Sequence, residues 1–89
     1  MDYAPPTDEM LFLIEHVFNV KHLQEHERFS HLDISTIRSI LLEASKLSSN
    51  VLEPVNRLSD ESPAKLENGK VFCPDELQGA YNEIAKGGW

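Results

Sequence analysis

Residues 33–52 read DISTIRSILLEASKLSSNVL, and this stretch decides the fold. Ile37, Ile40, Leu41, Ala44, Leu47, Val51 and Leu52 recur at intervals of three and four. A helix with 3.6 residues per turn gathers such positions on one face. Ser39, Glu43, Lys46, Asn50 and Glu53 then occupy the opposite face. Asp33 precedes the first apolar position, where its carboxylate is suited to accept a bond from a free first-turn N–H. Pro54 is expected to end the helix, because proline lacks an N–H and disfavours the helical region for its predecessor. Leu42 falls off the stripe, which predicts contact on a second side.

Upstream, residues 2–6 (DYAPP) predict an extended, polyproline-like lead-in. Thr7 is placed to cap a first helix, with Asp8 and Glu9 favourable at its positive end. Met10, Leu13, Ile14 and Val17 form its expected stripe, Phe12 faces away, and Asn19 marks an end or kink. Residues 20–29 (VKHLQEHERF) predict a short second helix with Val20, Leu23 and Phe29 on its apolar side. After Pro54 the composition shifts, and residues 55–69 read as a loop closing in a tight Asn68-Gly69 turn. Lys70-Val71-Phe72 is too short to be an independent strand. A last helix begins near Asp75, whose spacing to Gln78 matches a capping box. Its stripe is Leu77, Ala80, Tyr81 and Ile84, with Gly87 as the left-handed closing residue. The fold class expected is all-α, a small bundle of three to four helices.

The 89 residues suffice for one small domain, and the formal net charge is −7. That charge opposes binding to nucleic acid or to an anionic membrane, both of which recruit Lys and Arg. A single cysteine, Cys73, and no basic leader followed by a long apolar run point to a reducing cytoplasm.

Few patterns carry chemistry. His22-Leu23-Gln24-Glu25-His26 matches H-x-x-E-H, in which two His one helical turn apart grip zinc and the Glu acts as base. A zinc hydrolase would need a third ligand, which the pattern does not supply; a polar, partly frayed helix is the plainer reading. Cys73 has no identifiable base or oxyanion hole, so a semi-buried inert thiol is expected. Asp60, Glu61, Glu67, Asp75 and Glu76 lack the spacing of a calcium loop. No residue qualifies as catalytic, cofactor-binding or metal-ligating. Trp89, a large apolar side chain after Gly87-Gly88, looks unpartnered.

Three segments in order carry a resemblance: YAPPTDEMLFLIE (3–15), ILLEASKLSSNVLEPVNRLSD (40–60) and NGKVFCPDELQGAYNEIAKGGW (68–89). Together they resemble the opening of the acyl-CoA dehydrogenase family, in the subfamily with an N-terminal extension that includes the 3-methylmercaptopropionyl-CoA dehydrogenases. The chain departs from that pattern at Ser59-Asp60, where the family has Gly-Asp, and at Asp75-Glu76-Leu77 after the proline. The resemblance implies that residues 1–32 are the extension, with one or two helices. Residues 33–89 would begin the N-terminal helical domain, and the two parts would form one compact unit. It implies a parent oxidoreductase of fatty-acid-type metabolism that binds FAD and dehydrogenates acyl-CoA thioesters, with both functions in domains outside these residues. The partners implied are those domains, and exposed apolar positions predict self-association of the isolated chain. The alternative is a free-standing acidic helical module that binds another protein.

Overall fold

The computed structural model describes residues 3–89. Asp2, the first residue of the expected lead-in, lies outside the described residues. The chain is predominantly helical, as the periodicity predicts, with one small antiparallel hairpin added. It forms two compact units. One comprises Ala4–Ser45, the other Tyr3 with Lys46–Trp89.

In the first unit the lead-in does not stay extended. Pro6 has φ −78° and ψ 66°, and the Thr7 N–H bonds the Pro5 carbonyl at 2.8 Å, which is an inverse γ-turn. The Pro6 carbonyl then accepts the Met10 N–H, so Pro6 takes the capping position and Thr7 becomes the first residue of α1 (Thr7–Phe12) without a side-chain cap. A π-helical turn, Leu13–Val17, follows α1. A π turn closes i→i+5 bonds and holds more residues than an α turn, so it rotates the stripe expected from a 3.6 period. Leu13 and Val17 in that turn are exposed and Ile14 is half-buried, while in α1 ahead of it Met10 is exposed and Leu11 is buried at 6% exposure. Asn19 breaks the helix with φ 52°, left-handed as a kink there requires.

The second helix is shorter than its sequence suggests. α2 spans Val20–Gln24, His26 is extended (φ −79°, ψ 133°), and a 3₁₀ turn covers Glu27–Phe29. Val20 is buried at 8% exposure, whereas Leu23 faces solvent. Gln24 Nε2 donates to the Leu32 carbonyl at 2.5 Å, tying this end back towards the next helix.

α3 spans Ile34–Leu47. Asp33 caps it as expected: its Oδ1 accepts the Thr36 N–H at 2.7 Å. That bond, with the Thr36 hydroxyl, holds the Asp33 carboxyl below its usual value. Of the expected face Ile37, Leu41, Ala44 and Leu47 are half-buried, so it is the more covered one, but Ile40, expected on it, is exposed. No residue of α3 is fully buried, and Leu42 is exposed rather than covered on a second side.

Pro54 does not end the helical run. A π-helical turn, Ser48–Leu52, leads into α4 (Glu53–Glu61), with Pro54 in the first turn of α4. A wider turn just ahead of proline removes the need for the bond that its missing N–H would make, and a first turn tolerates proline. The segment read as a loop from Val55 is thus helical to Glu61, with Val55 and Leu58 half-buried. Ser62 then departs from helical geometry (φ −128°, ψ 75°).

β1 (Lys65–Glu67) and β2 (Lys70–Phe72) pair antiparallel, with Leu66 opposite Val71. The two-residue loop Asn68-Gly69 has positive φ at both positions (51° and 77°), the conformation that matches the twist of a hairpin. Strand β2 therefore exists by pairing with β1, which the sequence alone leaves invisible.

α5 (Asp75–Lys86) packs on α4 and on the Ser48–Leu52 turn, burying Ala80 at 6% exposure. The expected capping box is not made. Pro74 holds the cap position, Asp75 is already helical, and Gln78 donates to Asn82 at 3.0 Å. Asp75 and Glu76 still sit in the first turn, favourable for the dipole. The left-handed closing residue is Gly88 (φ 78°), not Gly87 (φ −75°). The Trp89 N–H reaches the Ile84 carbonyl at 3.4 Å and the Gly88 N–H reaches that of Ala85 at 3.2 Å, the paired bonds of a Schellman motif. Trp89 is thus the hydrophobic residue of a helix terminus, folded back over Gly87, rather than a dangling side chain.

Candidate interaction surface

The zinc pattern is broken by the backbone. α2 ends at Gln24, and the extended His26 leaves the helical face on which His22 lies. His22 Nδ1 instead faces Glu25 at 3.7 Å, both side chains being solvent-exposed. Among the described residues no group of three or more His, Cys, Asp or Glu is placed to hold a metal ion. Cys73 is exposed, not semi-buried, because the hairpin carries it out to the junction with α5. Of the five acids singled out, Glu61 pairs with Arg57 at 3.8 Å in full solvent, a contact of little energetic weight.

Apolar exposure is the feature that stands out. In the first unit Phe12, Val17, Phe18 and Leu23 are exposed around the π turn, with the Phe12 ring 5.2 Å from that of His16. In the second unit Leu66 and Val71, directly opposed on the hairpin, are 74% and 68% exposed. An open groove beside them is lined by Val71, Cys73, Pro74, Asp75, Leu77, Gln78 and Tyr81. A second groove in that unit is lined by Tyr3, Ser48, Leu52, Glu53 and Asn56. Helix periodicity signals such exposure only weakly, since it shows which residues share a face and not whether anything covers that face.

Neither groove suits a flavin. Each is open to solvent, and each carries a carboxylate, Asp75 or Glu53, that repels a pyrophosphate. Among the described residues no helix is long and apolar enough to cross a membrane.

Comparison with known proteins gives this helical, apolar-surfaced chain a fragment-level link to the acyl-CoA dehydrogenase family. All 89 residues align, at 27% identity, with 3-methylmercaptopropionyl-CoA dehydrogenase of Ruegeria pomeroyi. The chain spans only 15% of that protein's length. No family profile matches the chain, and no solved structure matches it.

Proposed function

We propose that this chain is the N-terminal structural segment of an FAD-dependent acyl-CoA dehydrogenase. In that reading residues 1–32 are the extension and residues 33–89 open the helical domain. The segment helps to wall the acyl pocket and is inert alone. FAD would supply the hydride acceptor, and its binding would fall to the rest of the enzyme. The observation that carries the reading is the alignment of the whole chain with a small share of a much longer dehydrogenase. The exposed side chains support it: Phe12, Phe18, Leu66, Val71 and Tyr81 are apolar surface of the kind a larger protein covers. A cytoplasmic location and self-association of the isolated segment belong to the same reading.

The test is a chimera. The aligned part of the Ruegeria enzyme is replaced by this chain and compared with a version in which that part is deleted. The chimera is expected to keep its yellow flavin and acyl-CoA-dependent dye reduction, and the deletion to lose both. A chimera that behaves like the deletion overturns the proposal. So does flavin binding or turnover by the isolated chain.

A further inference from the structure

The geometry points to a main-chain clamp: Ser49 and Glu53 form a docking site for the peptide backbone of a single residue, filled here by Tyr3 of the chain's own lead-in. Glu53 Oε2 accepts the Tyr3 N–H at 2.6 Å, and Ser49 Oγ donates to the Tyr3 carbonyl at 2.6 Å. Both main-chain groups of one residue are thus satisfied by two side chains four positions apart in one helical run, one of them in a charge-assisted bond. Both bonds that hold Tyr3 are made by its main chain, and the residue as a whole is half-exposed.

The lead-in sequence narrows the register. Pro5 and Pro6 have no N–H to offer Glu53, which leaves Tyr3 and Ala4 as the only donors among residues 3–6. The inverse γ-turn at Pro6 then ends the strap and starts α1. The ligand class is therefore a segment offering the N–H and carbonyl of one residue, placed two positions before a proline pair. The residue type at position 3 is immaterial.

The test is amide exchange and NMR relaxation on the full chain. Glu53→Ala is expected to speed exchange of the Tyr3 amide by about tenfold, the scale of one charge-assisted bond. Ser49→Ala is expected to speed it less. Tyr3→Ala is expected to leave exchange at position 3 within about twofold of the parent once intrinsic rates are corrected. Tyr3→Pro touches no helical residue and is expected to make the Ala4 amide mobile, so it decides the matter even if Glu53→Ala loosens α4. The clamp is refuted by Tyr3→Ala releasing the strap as fully as Glu53→Ala, which would show ring recognition. It is equally refuted by Ala4 remaining as ordered in Tyr3→Pro as in the parent.

Discussion

Gly87 and Gly88 are adjacent, identical in sequence and opposite in what they need, so replacing each by alanine separates backbone strain from lack of space. At Gly88 an added Cβ meets nothing within 4 Å, but φ is +78°. The cost is then purely conformational, about 1 kcal/mol for an L-residue held left-handed. That is roughly a fivefold rise in the frayed population of the last turn of α5. At Gly87 the backbone is already helical (φ −75°), so alanine gains about 0.4–1 kcal/mol by restricting the unfolded chain. Its Cβ, however, would lie 2.9 Å from Cδ1 and Nε1 of the Trp89 indole, which must swing aside. The assay combines amide exchange at Lys86 through Trp89 with the emission of Trp89, the one tryptophan. Gly88→Ala should raise exchange in the last turn. Gly87→Ala should shift the emission while leaving exchange at or below the parent rate. Loss of protection in Gly87→Ala exceeding that in Gly88→Ala would refute the assignment of the Schellman motif.

Three further outcomes follow from the same physics. The Asp33 carboxyl is held below its usual value by the Thr36 N–H and hydroxyl, so its contribution to α3 is present above the unfolded carboxylate pKa of about 3.8. That contribution is lost as pH falls through the lower folded value; an NMR titration of Asp33 with its midpoint at or above 3.8 would contradict this. Gly69→Ala places a Cβ at φ +77° and should cost the hairpin about 1 kcal/mol, seen as loss of cross-strand contacts between Leu66 and Val71. Leu11→Ala removes one of the two buried side chains of the first unit. It should cost about 2 kcal/mol, the low end for such changes because few residues of this unit are buried around the site and the space opens readily to solvent; urea unfolding followed at amides of residues 4–45 checks it.

The sequence by itself determined the features that depend on neighbours along the chain. The Asp33 cap, the Asn19 break, the Asn68-Gly69 turn and the more covered face of α3 each rest on bonds or periodicities spanning a few residues. Only the tertiary structure decided the rest, because those features depend on groups that local patterns do not pair. Leu11 is buried in place of Met10, and a π turn lets the helical run pass Pro54 instead of stopping. β2 gained its strand geometry from β1, and Gly88 rather than Gly87 closed α5 through main-chain bonds back to Ile84 and Ala85. The zinc pattern failed for the same reason: two histidines four apart share a face only while the helix continues, and here it ends at Gln24. Apolar composition told how much surface there was to bury, and only the packed chain showed how little of it these residues bury themselves.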